Sequence, residues 1–460
     1  MATYFEFVYS DYFKTELPSH WQEKRLGFLA EQTKNAFVDG PFGSDLKSED
    51  YLDEGVPLIQ LNNIRDGKHI LRNMKFISNK KKMDLIRHLA LPQDIVIAKM
   101  AEPVARAAVV SKEYDEYVIV ADCVKLTPNL KLVDLDFLIW AINADCVREN
   151  AELVSTGTTR IRINLGELKK LKVPYPTLPE QIKIREYLDH GTAKIDSLIA
   201  KQEKLIELLK EKRQAVISNA VTKGLNPDVT MKESGVEWLG QVPEHWGVST
   251  IGYYAKVTNG TTPSKANLSY WDKEEIPWLS SGEVNQYHIV EVSEYITKKA
   301  LAECSLELLP IGTVVMGMIG QGKTRGLSAI TKIEATINQN LAALVTYTKL
   351  NNEYLHYYLQ AAYNYMREEG RGGNQAALNC EIIRKFPITI PPFKEQLQVI
   401  EEIKKLSITY KALINKAESA IELMQERRTA LISSAVTGKI DVRNWQQPDK
   451  NNEANTELGA

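Results

Sequence analysis

The sequence predicts an α+β protein made by duplication: two related α/β globules separated by a long antiparallel two-helix coiled coil, with an internal pseudo-twofold repeat. The main observation is a helical stretch at residues 180–222 that returns without a gap at residues 395–437. About 18 of about 43 aligned positions are identical, far more than chance gives for one chain compared with itself. Two further observations are the apolar spacing of both stretches and the matching segments before them.

Both helical stretches have the apolar spacing of a coiled-coil face, because their apolar residues recur at steps of three and four. The predicted apolar face comprises Ile184, Leu188, Ile195, Leu198, Leu205, Leu209 and Val216 in the first copy, and Val399, Ile403, Leu406, Tyr410, Leu413, Ala420, Met424 and Leu431 in the second. Thr177 with Glu180 predicts a capping box at the first helix start, and Gly224 and Gly438 mark the two helix ends.

The direction of the second helix follows from the order of segments along the chain. The first helix leads from the first globule to the second, and the second helix begins after the second globule. It can bury its apolar face on the first helix only by running back, so the pair is predicted to be antiparallel.

The predicted domain boundaries divide the chain into six segments. They are the first globule at 1–176, the first spacer helix at 177–224, a linker at 225–241, the second globule at 242–391, the second spacer helix at 392–438 and a polar, disordered tail at 439–460. Both globules show short strands followed by a helix. The predicted strands are 56–61, 95–98 and 117–120 before a helix at 136–150, and 276–279, 313–316 and 341–346 before a helix at 352–367.

Composition limits the function classes. A formal net charge of −2 argues against a uniformly basic nucleic-acid binder, so any phosphate contacts must come from local clusters. The four cysteines are scattered, which suggests neither a zinc site nor a disulfide framework and fits a reducing cytoplasm. No apolar run approaches the roughly 18 residues of a membrane span. The N-terminal segment lacks the features of a signal peptide. A cytoplasmic protein is therefore expected.

One segment matches the nucleotide-binding P-loop pattern. Residues 317–324 read Gly-Met-Ile-Gly-Gln-Gly-Lys-Thr and follow an apolar strand. A P-loop opens a helix, whereas residues 325–331 have the pattern of a strand. We therefore expect a hairpin loop in which Lys323 and Arg325 are candidate phosphate contacts. The alternative is a P-loop ATPase with a coiled coil, which a nucleotide titration with Lys323→Ala would distinguish.

The motifs of the chain resemble those of a known family, the specificity (S) subunits of type I restriction-modification enzymes. They are Asp39, Gly40, Pro41, Phe42, Gly43 and Ser44 with Lys47, Asn63 and Ile64; residues 234–240 leading into 242–246; residues 260–264 with 276–279; and the Glu-Gln pairs that open both helices. The resemblance implies that each globule is a target recognition domain reading one half of a gapped DNA sequence. It also implies that the helices set the gap and dock partner subunits.

The resemblance further implies that this chain performs no chemistry and holds no cofactor. Two methyltransferase (modification) subunits would carry S-adenosylmethionine, and restriction/translocase subunits would use ATP and Mg. The outer faces of the helices would dock these partners through residues shared by both copies, namely Glu207, Glu211, Arg213, Glu422, Glu426 and Arg428. A further alternative is a non-specific DNA scaffold, which a bound-DNA selection returning no motif would favour.

Double-stranded DNA is thus the expected ligand, and local clusters supply the candidate contacts. The expected first half-site residues are Ser44, Lys47, Arg72, Lys80, Lys81, Lys82, Arg160 and Arg162, and those of the second are Thr262, Ser264, Lys323, Arg325, Arg371, Asn374 and Gln375. Arginine reads guanine, and asparagine or glutamine reads adenine, through paired hydrogen bonds. Two alternatives stay open: the lysine run is only a solvated face, and the loops at 158–162 and 373–375 only support the following strand.

Overall fold

The computed structural model describes residues 4–100, 103–157, 161–320, 322–370 and 377–448. The chain divides into two compact units, one comprising Met1–Lys201 with Ala420–Ala460 and the other Gln202–Ser419. Both boundaries fall within the long helices. Each unit therefore contains one globule and one half of each helix.

The first unit contains short strands followed by helices and the start of the first long helix. In chain order its elements are β1 (Phe7–Ser10), β2 (Thr15–Pro18), β3 (Gln22–Arg25), α1 (Leu26–Leu29), β4 (Phe37–Asp39), β5 (Val56–Ile59), β6 (Ile64–Arg65), β7 (Gly67–His69), β8 (Lys75–Ile77), α2 (Asn79–Asp84), β9 (Leu89–Ala90), β10 (Ile95–Ala98), β11 (Ala107–Val109), β12 (Tyr117–Ile119), β13 (Cys123–Leu126), α3 (Leu135–Asn143), α4 (Asp145–Leu153), α5 (Leu165–Lys170), β14 (Lys172–Tyr175) and α6 (Leu178–Lys223).

The second unit repeats this plan and contains most of the second long helix. Its elements are β15 (Met231–Glu233), β16 (Gln241–Pro243), β17 (Gly247–Thr250), β18 (Ala255–Asn259), β19 (Ile276–Leu279), β20 (His288–Ile289), β21 (Glu294–Ile296), α7 (Lys298–Glu303), β22 (Val314–Gly317), β23 (Ser328–Thr331), β24 (Thr336–Ile337), β25 (Leu341–Thr346), α8 (Asn352–Ala361), α9 (Tyr363–Glu368), α10 (Cys380–Lys385), β26 (Pro387–Ile390) and α11 (Phe393–Val436).

The main sheets of the two units share one strand order. The first unit has a six-stranded sheet, β4-β13-β10-β11-β7-β6, and the second a five-stranded sheet, β18-β25-β22-β23-β20. A second sheet in each unit, β8-β5-β12-β9 and β21-β19-β24, also corresponds. Strand registers align the two main sheets residue by residue: Ile95 pairs with Leu126 as Val314 pairs with Leu344. The duplication therefore extends to the fold of the globules.

The strand predictions are confirmed most closely where apolar runs are continuous. Strands β10, β19 and β25 have the predicted bounds because their residues are mostly buried on both faces, the environment that such runs indicate. The predicted helices at 136–150 and 352–367 are each two helices, interrupted at Ala144 and Ala362. Both alanines are almost fully buried, so packing in the core sets these breaks without a proline or glycine.

The two long helices contact each other in opposite directions within each unit. In the first unit, Arg428 of α11 pairs with Asp196 of α6, and Leu431 of α11 lies against Gly191 of α6. In the second unit, Ile217 and Val221 of α6 share a core cluster with α11 residues, which are Val399, Ile400 and Ile403. Later residues of α6 therefore contact earlier residues of α11, as expected for two antiparallel helices.

The predicted apolar face is wrong at three positions. Leu198, Leu205 and Leu413 are 37%, 42% and 43% exposed, whereas Ala417 of α11 is buried. Ile199 and Ile206 of α6 are partly buried in place of the two leucines. Both faces of these helices carry apolar residues, so spacing alone does not decide which residue turns inward.

The end of each long helix packs against the start of a globule in the same unit. In the second unit, Gly224 lies against Trp246, whose Nε1 donates a hydrogen bond to Glu395 Oε1 at 3.1 Å. In the first unit, Gly438 lies against Pro18 and Trp21, and Trp21 Nε1 donates to Glu180 Oε1 at 3.4 Å. His245 and His20 complete the two sets. We call each set a helix-end clasp.

Glu180 joins its clasp to the start of α6. Its carboxylate accepts hydrogen bonds from the backbone N and the hydroxyl of Thr177, which is the expected half of the capping box. Burial alone would raise the pKa of Glu180, but hydrogen bonds from His20 and Thr177 outweigh burial and lower this pKa. The carboxylate is therefore ionised at neutral pH.

The first ten residues of the predicted disordered tail are folded, and residues 449–460 lie outside the described residues. Residues 439–448 of the predicted disordered tail pack on the first unit: Val442 is buried, and the Trp445 ring lies 5.6 Å from those of Tyr187 and His190. Arg443 pairs with Asp441 and lies over the Tyr4 ring. The aromatic side chains and the ion pair fix a segment that composition alone marks as polar. Among the residues described above, no helix has the length and apolarity needed to cross a membrane.

Candidate nucleic-acid interface

In the first unit, four loops that are far apart in sequence meet at one edge of the main sheet. Lys99, at the end of β10, donates its backbone N–H to Asp122 O at 2.7 Å and accepts from Ile163 N at 3.0 Å. Its nearly buried side chain pairs with Asp39 at 3.2 Å. Arg162 pairs with Asp122 at 2.5 Å and remains half exposed. Loops after β4, β10, β12 and α4 are thereby held together, and we call them the first loop cluster.

A glycine fixes the first of these loops against the sheet. The Gly40 backbone N–H donates to Cys123 O at 2.8 Å, and a Cβ at this position would lie 1.9 Å from Val120 O. No side chain fits at that distance, so only glycine allows this approach. The exposed loop 42–47 that carries Ser44 and Lys47 starts from this point.

The second unit has the same arrangement, which we call the second loop cluster. Gly260 occupies the position of Gly40, and a Cβ there would lie 1.7 Å from Ile337 O. Thr262 in the following loop donates its hydroxyl to Gln339 Oε1 at 2.5 Å. Leu378 N donates to Met318 O at 2.9 Å, as Ile163 N donates to Lys99 O in the first unit. The register of the two clusters is therefore shared.

The P-loop-like segment is a hairpin, as predicted. Strands β22 and β23 on either side of it pair antiparallel, with Val314 opposite Ile330. Helix α9 braces the loop, because Tyr363 donates its hydroxyl to Lys323 O and Arg367 donates to the carbonyls of Gly322 and Arg325. No helix follows the loop, so its backbone N–H groups are not arranged as in a nucleotide-binding P-loop.

The expected lysine cluster of the first unit is largely neutralised within the unit. Lys81 pairs with Asp50 at 3.0 Å, and Lys82 pairs with Glu116 at 2.6 Å. Both lysine side chains are only about one-fifth exposed. Lys80 is exposed, and so is Arg72. Among the described residues of this run, Lys80 is thus the lysine best placed for a phosphate.

The other expected DNA contacts are distributed over the two clusters. Ser44, Lys47, Ser264 and Lys323 are exposed, and Lys47 lies 3.6 Å from Glu49. Thr262 and Arg325 are partly buried. Arg160, Arg371, Asn374 and Gln375 lie outside the described residues. Their roles stay predictions.

The expected docking residues do not all lie on an outer face. Glu207, Glu211, Glu422 and Glu426 are exposed, and Glu207 pairs with Lys204 on its own helix. Arg428 instead pairs with Asp196, and its guanidinium lies 5.9 Å from the centre of the Trp140 ring. Arg213, its counterpart, is partly buried. Both arginines are thus partly buried rather than fully exposed, and the docking role of all six residues stays a prediction.

Several residues of the clusters were not among the site residues expected from the sequence, although Asp39 stands in one of the family motifs. They are Asp39, Lys99 and Asp122 in the first cluster, and Asn338, Gln339, Tyr363 and Arg367 in the second. A signal existed: Asp39 before Gly40 matches Asn259 before Gly260 at the end of corresponding strands. In the described ranges, no group of three histidine, cysteine or acidic side chains is arranged to bind a metal ion.

Comparisons with known proteins agree with this geometry. The protein-family model for the type I restriction modification DNA specificity domain matches residues 18–208 and 243–423. A putative type I restriction enzyme MjaX specificity subunit of Methanocaldococcus jannaschii is 22% identical over 439 residues, which cover 93% of this chain and 95% of that protein. The StySPI specificity subunit of Salmonella potsdam is 22% identical over 453 residues, covering 94% and 92%.

Solved structures show the same fold. A chain from a study of complex assembly and conformational transition of the type I R-M system has a TM-score of 0.68 at 14% identity, covering 93% of this chain and 100% of that chain. The HsdS subunit from Thermoanaerobacter tengcongensis has a TM-score of 0.53 at 16% identity, covering 92% and 98%. The family model spans both repeats, and relatives align over almost the whole chain. The chain therefore belongs to the specificity (S) subunits of type I restriction-modification systems, non-catalytic subunits with two recognition domains that recognise DNA within a complex whose catalysis resides in other subunits.

Proposed function

We propose that the two globules read the two halves of a gapped DNA sequence, one half each. The long helices form an antiparallel coiled coil that sets the gap and docks two methyltransferase subunits, with restriction/translocase subunits joining them. S-adenosylmethionine, ATP and Mg²⁺ act in those partners, and this chain contributes recognition.

The observation that carries this proposal is the duplication of the loop clusters. Each cluster gathers loops at the equivalent edge of an equivalent sheet, and each begins at a glycine that packs directly on a backbone carbonyl. A rigid sheet edge that presents variable polar loops is a common way to build a recognition site. Two such sites in one chain suit a target with two separate parts.

The charged residues of the clusters suit two separate tasks, namely positioning the protein on the DNA backbone and reading the bases. Exposed lysines such as Lys47 and Lys323 are suited to phosphate contacts, which position a protein on DNA without specifying sequence. Arg162 is half exposed, and its guanidinium forms an ion pair with Asp122. A guanidinium can form paired hydrogen bonds with guanine. Reading is therefore assigned to Arg162 and to the loops beside it.

The helix contacts support the proposed spacer. Within each unit α6 and α11 run in opposite directions, and neither contains a proline after its first turn. An uninterrupted helix gains 1.5 Å for each residue, so its length is a defined distance. The gap between the half-sites follows from that length.

The experiment is to sequence methylated adenines in the host with and without this gene. A gapped two-part motif should vanish when the gene is deleted. Arg162→Ala should relax the motif in one half, and Lys323→Ala should weaken modification without changing the motif. A motif that persists without the gene contradicts the proposal, and so does a selection of bound DNA that returns no motif.

Helix length provides a separate test of the spacer. Inserting about four residues, one helical turn, in both helices should lengthen the gap and leave both half-sites unchanged. Altered half-sites with an unchanged gap would count against the spacer role.

A further inference from the structure

The first unit contains a cavity beside the long helices, at a position where the second unit carries a large aromatic side chain that is 36% exposed. The cavity has a volume of about 410 Å³ and lies between β7, α3 and the two long helices, with Gly67, Ile139, Trp140, Asp196 and Arg428 among its lining residues. It does not belong to either loop cluster.

The strand registers identify the counterpart of Gly67 in the second unit. Lys68 pairs with Val109 in the first unit as His288 pairs with Ile330 in the second. Val109 and Ile330 correspond, because they lie opposite Ile95 and Val314. The residue before Lys68 is Gly67, and the residue before His288 is Tyr287.

Tyr287 occupies the corresponding space in the second unit. Its ring centre lies 4.6 Å from that of His356 and 6.2 Å from that of Tyr357. Burial and a hydrogen bond with Tyr357 raise the pKa of Tyr287, and the nearby charge of Arg213 lowers it. The phenol therefore lies among residues of α8 and close to an arginine of α6.

The lining of the empty cavity matches the surroundings of Tyr287. Asp134 and Asn351 are the N-caps of α3 and α8. The backbone N–H of Asp134 donates to Gln181, and that of Asn351 donates to Gln396, the corresponding glutamine of the other long helix. In this alignment Ile139 corresponds to His356, and Trp140 corresponds to Tyr357. In the repeat of the long helices, Arg428 corresponds to Arg213. The first unit thus has the surroundings of an aromatic ring without the ring.

The cavity of the first unit is lined by Lys68 and Arg428 as well as by acidic residues, but it lacks the counterpart of one ion pair of the second unit. In the second unit, Glu353 of α8 forms an ion pair with Lys404 of α11. The counterparts in the first unit are Asp136 and Asp189, two carboxylates that both line the cavity. Burial, Asp134 and Asp189 raise the pKa of Asp136, and the charges of Arg185 and Lys112 offset only part of this rise. A cation near these two carboxylates would remove their repulsion.

The cavity opens onto a larger surface groove that also includes Asp136, Asp189 and Ala193. This groove has a volume of about 680 Å³ and extends along α6. Together the cavity and the groove are larger than a single side chain needs. They suit a protein segment better than an isolated small molecule.

We propose that this cavity receives an aromatic side chain from a partner protein, together with a neighbouring lysine or arginine that pairs with Asp136 and Asp189. The inference rests on the proposed docking of two modification subunits. It adds that the two halves of the chain bind them differently: the partner inserts a ring into the first unit, whereas the second unit supplies Tyr287 and Lys404 itself.

The test uses the full chain produced with the modification subunit of the same host, and native mass spectrometry counts the bound subunits. The wild-type chain should bind two. Asp189→Lys places the cation of the second unit in the groove, and Ala193→Phe narrows the opening from an exposed helix position. Each variant should weaken binding at the first unit by about tenfold or more, leaving mainly one bound subunit.

The matched control is Glu152→Lys, which makes the same charge change at an exposed site outside the cavity and should still bind two subunits. If both cavity variants bind two subunits as tightly as the wild type, the inference is wrong. If Asp189→Lys fails to fold, as judged by circular dichroism, Ala193→Phe decides the result. A wild-type chain that binds no modification subunit would instead contradict the proposed function itself.

A photo-crosslinking residue at position 193 tests the chemistry of the occupant. The crosslinked partner peptide should contain an aromatic residue next to a lysine or arginine. A crosslinked peptide without that pair, or no crosslink in a complex with two bound subunits, would overturn the assignment.

Discussion

The two globules are alike in their sheets and differ in what surrounds them. Their main sheets have the same strand order and register, and both loop clusters start from a glycine pressed on a carbonyl. Their helix-facing sides differ, because Tyr287 and Lys404 of the second unit correspond to Gly67 and Asp189 of the first. Duplication has thus preserved the framework residues, and surface residues have changed between the copies.

This difference shows which residues a shared framework needs. The glycines and the clasp tryptophans are restricted by backbone atoms within 2 Å or by almost complete burial. Residues at the cavity are restricted only by neighbouring side chains, which can be replaced. Four experiments test this contrast, beginning with the largest expected effect.

Replacing the clasp tryptophans tests whether the two clasps are equivalent. Trp246 is 0% exposed and Trp21 is 7% exposed, so Trp246→Ala and Trp21→Ala should each cost about 3–5 kcal/mol of local stability. Hydrogen exchange measured by mass spectrometry on peptides 4–21 and 224–246 reads each clasp separately. Phe5→Ala, at a 98% exposed position, should change neither. If one substitution lowers the protection from hydrogen exchange in both clasps, the two units are not separate in stability.

Replacing the cluster glycines tests the shared register. A Cβ on Gly40 or Gly260 would collide with a backbone carbonyl, so each Gly→Ala change should cost about 1–3 kcal/mol or more. Gly43→Ala is the control, because nothing lies within 4 Å of its Cβ, and its effect should stay below about 0.5 kcal/mol. Thermal unfolding measures all three. Equal melting temperatures for Gly40→Ala and Gly43→Ala would contradict the close approach.

Replacing exposed lysines compares the equivalent helices α2 and α7. Lys80 and Lys298 are exposed, whereas Lys82 pairs with Glu116. We propose that both lysines contact DNA phosphate. Lys80→Ala and Lys298→Ala should then weaken DNA binding several-fold and reduce the salt dependence by about one counterion each. Lys82→Ala should leave the slope of the binding constant against salt concentration unchanged. Fluorescence anisotropy over a salt series measures this slope for each variant. Three identical slopes would exclude these helices from the interface.

Replacing one acid in each unit should change stability in opposite directions. Asp136 has a raised pKa, so its protonated form contributes stability that is present below the unfolded pKa of about 3.9 and lost as pH rises through the folded pKa. Asp136→Asn should therefore stabilise the chain at pH 7 by a few tenths of a kcal/mol, a small effect because this side chain is partly in water. The gain should disappear below about pH 4.

Glu353→Gln is the counterpart in the second unit. It removes the acceptor of Lys404 and should destabilise the chain at pH 7 by about 1 kcal/mol or less. Urea unfolding at pH 7 and pH 4 measures both variants. Destabilisation by Asp136→Asn at pH 7 would show that Asp136 already has a compensating partner.

The sequence predicted what depends on local pattern. The long helices, the strands in continuous apolar runs and the hairpin at 317–324 are set by residues that are neighbours in the chain, and they are confirmed. The family resemblance is confirmed as well. Its motifs include Gly40 and Gly260, which the structure shows to be fixed by sterics.

Features that depend on distant residues could not be predicted. The loop clusters join Asp39, Lys99, Asp122 and Arg162, which no local pattern connects. The exposure of Leu198, Leu205 and Leu413 depends on how two helices rotate against each other. Ion pairs of Lys81 and Lys82 with Asp50 and Glu116 likewise arise only in the folded unit.

The backbone at Gly67 limits which residues this position accepts. Its φ of +72° is adopted freely by glycine, whereas other residues pay roughly 1–2 kcal/mol there. A single mutation to tyrosine would therefore introduce this strain at once. The backbone would have to change before the ring could form favourable contacts. The two repeats therefore differ at this position in backbone conformation as well as in side chain, because Tyr287 is not among the residues with positive φ.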